Sequence, residues 1–212
     1  MSNQKKHEFY MSRCIEIANK AKGRTYPNPN VGCVIVHNKK IISEAYSSKY
    51  GGPHAELNAI NMVENKNKLK SSTLYVTLEP CSHFGKTPPC CNLITKHKIP
   101  NVVIGTLDNS SKVNGKGTEH LKKNKTKVIV GILEKKCKAL HKNFLHFNKE
   151  HKPYVILKWA QSNDNYISPK NKLKSKPFWI SNVKSRQLVH KWRSEEHSIL
   201  VGYNTVIEDD PV

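Results

Sequence analysis

Gly52-Pro-His-Ala-Glu56, followed by Leu78-Glu-Pro-Cys-Ser-His-Phe-Gly-Lys-Thr-Pro-Pro-Cys90, is the pair of stretches whose reading decides the fold. It sets a histidine and a glutamate two residues apart, then two Pro-Cys steps separated by a loop. Zinc favours nitrogen and thiolate ligands, and a catalytic site holds three of them and leaves the fourth position for water. His54, Cys81 and Cys90 can supply that set, which leaves Glu56 free to move protons instead of binding metal. Spacing alone leaves the set open. Cys91 stands beside Cys90, and His83 competes for a place as a ligand.

Working outward, Thr73-Leu-Tyr-Val-Thr-Leu78 predicts a strand that delivers Cys81 at its end, and Cys90 opens a short helix to Lys96. His54 to Val63 predicts a helix with Ala55, Ala59, Ile60 and Val63 as its apolar stripe. On such a helix Glu56 stands about 200° round the axis from His54. The metal would then lie beyond the helix N-terminus, an end that favours negative charge. Upstream, Phe9 to Ala21 predicts a helix, and Tyr26-Pro-Asn-Pro-Asn30 a loop that two prolines hold extended, able to present Asn28. Val31 to Val36 and Ile41 to Tyr46 predict a hairpin about Asn38-Lys-Lys40. Downstream come strands at Asn101–Thr106 and Lys127–Val130, a short helix around Thr118 to Lys123, and a closing helix from Leu133 to Phe144. A hairpin followed by alternating helices and strands implies a three-layer α/β/α domain with a mixed sheet. Ligands gather at strand ends in such sheets, and the metal candidates fall there.

Apolar periodicity stops around Asn148-Lys-Glu-His-Lys-Pro153, which predicts a domain boundary, with residues 1–149 on one side and 150–212 on the other. Beyond it, Pro153 to Ala160 and Ser198 to Gly202 predict strands, with a helix from Val183 to Arg193 between them. Two strands and one helix are too little to bury a core alone.

The net charge of +20 and pI near 9.7 invite a nucleic-acid partner. The lysines, however, are spread along the chain without an interleaved aromatic platform. Solvated lysine faces and a phosphate-bearing substrate account for the charge, and no nucleic acid is expected. No apolar run is long enough to cross a membrane. Met1-Ser-Asn-Gln-Lys-Lys-His-Glu8 lacks the apolar region of a signal peptide, so the expected location is the cytoplasm. Six unevenly spaced cysteines then read as metal ligands and buried thiols, with Cys14, Cys33 and Cys137 acting as small hydrophobes.

The His-x-Glu and Pro-Cys pattern is that of zinc-dependent base deaminases, although the Cys81 to Cys90 spacing is longer than their usual Cys-x-x-Cys. More specifically, Pro27-Asn-Pro-Asn-Val-Gly32, His54-Ala-Glu56 and the run from Thr77 to Cys90 resemble the deaminase motifs of the bifunctional riboflavin-biosynthesis deaminase-reductases. Pro153-Tyr-Val-Ile-Leu-Lys158, Trp179-Ile-Ser181, Ile199-Leu-Val-Gly202 and Asp209-Asp-Pro211 are similar to the start of that family's reductase domain.

The resemblance implies a cytidine-deaminase-like domain followed by an incomplete α/β, dihydrofolate-reductase-like segment that stops after its first third. It implies zinc on His54, Cys81 and Cys90, with Glu56 as proton carrier. Asn28, His83, Lys86 and Asp108 would meet a phosphorylated pyrimidine, and Arg193 the reductase substrate. Ala160, Trp179, Thr205 and Asp209 match NADP(H)-contacting positions. Two local departures stand out. The family's Asp-Pro-Asn-Pro loop reads Asp108-Asn-Ser-Ser111, which moves a substrate contact to Ser110, and its Ser-Leu-Asp-Gly reads Ser162-Asn-Asp-Asn165, without the glycine.

Two other readings stay open, and with them a homo-oligomeric state. A polynucleotide or cytidine-type deaminase acting on nucleic acid would bind with a steep dependence on salt. A closed, non-catalytic zinc module would fill the fourth position with His83 or Cys91.

Overall fold

The computed structural model describes residues 2–85, 87–110, 113–169 and 178–209, the side chains of 208 and 209 excepted. Five strands, β1 (Gly32–His37), β2 (Lys40–Tyr46), β3 (Thr73–Leu78), β4 (Asn101–Thr106) and β5 (Lys127–Val130), form one sheet in the order β2-β1-β3-β4-β5. β1 runs antiparallel to β2 and β3, whereas β3, β4 and β5 are parallel, so the sheet is mixed.

Side chains alternate across a strand with period two, and here both faces of the sheet are buried. Cys33 and Ile35, Leu74 and Val76, and Val102 and Ile104 enter one cluster with Ala59, Ile60 and Ile94. Val34 and Val36, Tyr75 and Val103 enter the other with Met11, Cys14 and Cys137. Helices α2 (Ala55–Met62), α3 (Cys90–Lys96) and α4 (Lys116–Lys123) cover the first face, and α1 (Asn3–Asn19) and α5 (Glu134–Leu140) the second. This is the expected three-layer α/β/α architecture. α1 lies so close to β1 that a Cβ on Gly32 would sit 2.0 Å from the Cys14 carbonyl oxygen.

Four local features differ from the sequence reading. First, His54 is not helical: its backbone is extended (φ −72°, ψ 163°) and α2 begins at Ala55. Second, the loop at Tyr26 to Asn30 turns instead of running extended, through a cis Tyr26–Pro27 peptide closed by Asn28 N–H donating to the Thr25 carbonyl at 2.9 Å. Third, the single closing helix is two, α5 and α6 (Lys142–Glu150), broken at His141. Leu133 and Cys137 pack on one face of the sheet, while Phe144 and Leu145 pack on the other. No straight helix can serve both faces, so the chain bends between them.

Fourth, the strands expected at Pro153–Ala160 and Ser198–Gly202 do not form among the described residues. A strand needs a hydrogen-bonded neighbour and a covered face, and here Leu157 is 78% and Leu200 100% exposed.

The chain divides into two compact units, Met1–Tyr154 and Val155–Val212. Tyr154 stays with the first, its ring edge-on to His146 of α6 and under the Lys142 ammonium. The second holds α7 (Val183–Glu195) and α8 (Tyr203–Asp209). Asn165 there has φ +67°. Asparagine tolerates this left-handed conformation better than most residues, so the chain turns at the position where the resembled family carries glycine. Ser162 N–H donates to the Tyr166 carbonyl at 2.9 Å across it.

Candidate metal centre

Three elements bring the metal candidates together. His54 caps the N-terminus of α2, Cys81 follows the end of β3, and Cys90 opens α3. His54 Nδ1 lies 3.6 Å from Cys81 Sγ and 3.4 Å from Cys90 Sγ. All three donor atoms fall within 4.8 Å of one another. Zinc at its usual bond lengths to sulfur and nitrogen in a tetrahedral site separates such N and S ligands by about 3.6 Å, so two edges of the required tetrahedron already exist. The donor set fits zinc in identity and in spacing.

Cys91, one residue on, is turned the other way. Its thiol donates to the carbonyl oxygens of Pro80 (3.2 Å) and Gly117 (3.5 Å). His83 is exposed on the loop and is not one of the three clustered donors. Neither joins His54, Cys81 and Cys90 in this structure.

The backbone supports the arrangement. Cys90 N–H donates to Cys81 Sγ at 3.3 Å, and Cys91 N–H to the Cys81 carbonyl at 3.2 Å. Behind His54, the Asn58 amide donates to Tyr46 O and Ser48 Oγ, and Ser48 N–H to the Pro53 carbonyl, which ties the 47–53 loop to α2.

Without metal, the Cys90 thiol as hydrogen-bond donor, helped by His54, brings Cys81 down to about 4. Cys90 is correspondingly held well above its ordinary value by that contact and by burial. The Cys81 hydrogen bond raises His54 to about 9. Glu56, on the first turn of α2, is 4% exposed, and burial, with the Cys81 charge, raises it to about 7. Because His54 is extended, the helical angle between positions 54 and 56 does not apply, and both side chains reach the same site.

The remaining candidates are dispersed. Asn28 is half-buried on its turn, and Asp108 is buried at the end of β4, with Oδ1 accepting the Ser110 N–H at 2.8 Å. Lys86 lies outside the described residues. Ala160, Trp179, Thr205, Asp209 and Arg193 belong to the second unit. There Ala160 lines a cavity of about 400 Å³ with Trp159, Ile180, Ser181 and Trp192. The Arg186 guanidinium sits 4.3 Å over the Trp179 ring. Thr205 is half-buried in α8, Arg193 is exposed on α7, and the Asp209 side chain lies outside the described residues. Sequence reading overlooked one buried acid beside the site, Glu79, although an acidic residue immediately after an apolar strand was a visible signal.

Residues 4–106 match the cytidine and deoxycytidylate deaminase zinc-binding region, and residues 153–212 the RibD C-terminal domain. The chain is 43% identical to the riboflavin biosynthesis protein RibD of Aquifex aeolicus over 202 residues, 95% of this chain and 55% of that protein. It is 50% identical to the diaminohydroxyphosphoribosylamino-pyrimidine deaminase of Buchnera aphidicola subsp. Schizaphis graminum over 139 residues, 66% of this chain and 93% of that protein. Among solved structures, RibD of Acinetobacter baumannii matches with a TM-score of 0.90 at 38% identity, over 99% of this chain and 57% of that one. The deaminase/reductase of Thermotoga maritima matches with a TM-score of 0.90 at 40% identity, over 99% of this chain and 59% of that one. The chain thus spans about half the length of the full RibD proteins it matches.

Proposed function

From the premise that this chain belongs to the RibD family of riboflavin-biosynthesis deaminase-reductases, we propose that it deaminates a diaminopyrimidinone ribosyl phosphate hydrolytically, using zinc. The observation that carries the reading is the convergence of His54, Cys81 and Cys90, with a buried carboxylate, Glu56, beside them. A set of two thiols and an imidazole leaves a fourth position for water, the arrangement of a catalytic zinc site.

Zinc, when bound, supplies a Lewis acid that lowers the pKa of the water it holds to about 7. Every other task falls to the protein. His54, Cys81 and Cys90 hold the ion, and the Cys90 N–H secures the Cys81 sulfur. Glu56 takes one proton from the attacking water and gives it to a ring nitrogen, then takes the second from the hydroxyl so formed and gives it to the leaving amine, so water and an exocyclic C–NH2 become C=O and ammonia. Burial lifts the Glu56 carboxyl above the ordinary carboxylate range, the direction that suits a group that must both take and give protons near neutrality. Asn28, His83, Lys86, Asp108 and Ser110 are assigned to the pyrimidine and its ribose phosphate.

In the same reading, residues 1–149 are the deaminase domain and residues 150–212 the start of a reductase domain. Ala160, Trp179, Thr205 and Asp209 are assigned to NADP(H), and Arg193 to the reductase substrate. A small phosphorylated pyrimidine is the proposed partner and the cytoplasm the proposed location. Among the described residues no helix is long and apolar enough to cross a membrane.

The test is ammonia release from the diaminopyrimidinone ribosyl phosphate by the zinc-loaded chain, with cytidine and single-stranded DNA as comparators. Glu56→Gln should retain zinc and lose at least about 10²-fold in kcat. Equal activity of Glu56→Gln, or release from the comparators alone, would sink the proposal. Oxidation of NADPH by the chain in the presence of the deaminated product tests the reductase assignment separately.

A further inference from the structure

Glu79 is 4% exposed, and no lysine or arginine among the described residues forms an ion pair with it. Its carboxylate is held by backbone N–H groups from two segments distant in sequence. Oε2 accepts from Asp108 (3.3 Å) and Gly115 (3.0 Å), and Oε1 from Thr118 (2.9 Å). Gly115 and Thr118 belong to the N-terminal turn of α4, whose leading N–H groups have no partner within the helix. Asp108 lies just past the end of β4, in the segment assigned above to the substrate.

The next residue after Glu79 completes a clamp. The Pro80 carbonyl accepts from the Cys91 thiol, which also reaches the Gly117 carbonyl. A Cβ on Gly117 would stand 2.2 Å from the Pro80 oxygen, so only glycine lets α4 approach this closely. Cys81 follows directly. The peptide carrying a metal ligand is thus joined, through one buried carboxylate, to the loop at the end of the neighbouring strand.

We propose that Glu79 is a positioning residue of the deamination site, fixing the Asp108–Ser110 segment and the start of α4 relative to Cys81. The inference rests on the deaminase reading. Its physical basis is that a carboxylate has enough lone pairs for three donors, whereas a carboxamide turns an NH2 toward at least one of them. Glu79→Gln should therefore loosen the loop side of the site and leave the ligands in place.

The experiment compares wild type and Glu79→Gln as full, zinc-loaded chains, by steady-state deamination, zinc content and amide hydrogen exchange. The expected result is full zinc content, a KM raised about tenfold, and a kcat changed by less than about threefold, as for loss of substrate positioning. Exchange should accelerate at Asp108, Gly115 and Thr118, with the core strands unchanged. Wild-type KM and kcat in a folded, zinc-loaded variant would overturn the inference. So would acceleration throughout the domain with loss of zinc, which would make Glu79 a support of the fold alone. Should Glu79→Gln not fold, Thr118→Pro removes the N–H that Glu79 accepts, in the first helical turn where proline is tolerated, together with the hydroxyl that donates to the Gly115 carbonyl, and Thr118→Val, which loses the hydroxyl alone, is its control. A smaller rise in KM there supports the inference, and an unchanged KM overturns it. An inactive wild type would sink the deaminase reading together with this inference, whereas an active wild type with an unaltered variant sinks only the role of Glu79.

Discussion

Replacing His141 with leucine should change how the stability of the first unit depends on pH. His141 is 1% exposed at the break between α5 and α6, and neither ring nitrogen has a hydrogen-bond partner among the described residues. Burial pushes it down from 6.5 to about 4, tempered by the nearby Thr77 carbonyl, which does not reach hydrogen-bond geometry. Between those two values the unfolded chain binds a proton that the folded chain refuses. Stability therefore falls as pH drops below 6.5, and this loss is complete below about pH 4. At 1.36 kcal/mol per pH unit the gap is worth about 3 kcal/mol, of which roughly 2 kcal/mol is lost by about pH 5. Urea denaturation of wild type and His141→Leu at about pH 7.5, 6 and 5 measures it. Contributions from zinc and from carboxylates are shared by both proteins and cancel in the difference. The leucine variant should gain about 2 kcal/mol relative to wild type across that range. A difference that stays flat with pH would refute the reasoning, because it would mean that the ring protonates as easily folded as unfolded.

Three further outcomes follow from the geometry. In chelator-treated protein near pH 6, iodoacetamide should label Cys81 ahead of Cys90 and Cys91, whose thiols are pushed up, and zinc should protect it; mass spectrometry of peptides reads the order. Lys66 donates to the Ile60, Asn61 and Val63 carbonyls at the end of α2, so Lys66→Met should cost about 1 kcal/mol, visible as a lowered Tm with activity retained. Gly117→Ala should cost about 3 kcal/mol, because the new methyl must displace the Pro80 carbonyl or move α4 away; a Tm equal to wild type would contradict the close approach.

Much of the sheet was legible because strands buried on both faces are written as short apolar runs of neighbouring residues bounded by turn signals. Strands β3, β4 and β5 and helix α3 have the bounds that the sequence reading gave them. Less legible were features that depend on what a residue meets. His54 stands in an apolar-striped segment that reads as helix from its first residue, yet its backbone is extended, because the chain is still arriving from the 47–53 loop that Asn58 ties down. The run from Leu133 to Phe144 has continuous helical character, and its break reflects the two faces of the sheet that its halves cover. Pro153 to Ala160 and Ser198 to Gly202 carry strand-like composition without strand partners among the described residues, and composition cannot supply a partner.

By itself, the sequence determined which residue types are available for the chemistry and the layered α/β character of the first unit. Ligand identity is a property of single side chains, and the apolar run of a strand buried on both faces is a property of adjacent ones. Only the tertiary structure decided which cysteine of the Cys90–Cys91 pair turns toward His54, since a single residue step at the start of the helix, about 100° round its axis, points the two thiols in different directions. It alone decided that Glu79 accepts hydrogen bonds from the loop at the end of β4 and from α4. Those choices depend on atoms dozens of positions apart along the chain, and they exist only once the strands have brought their ends together.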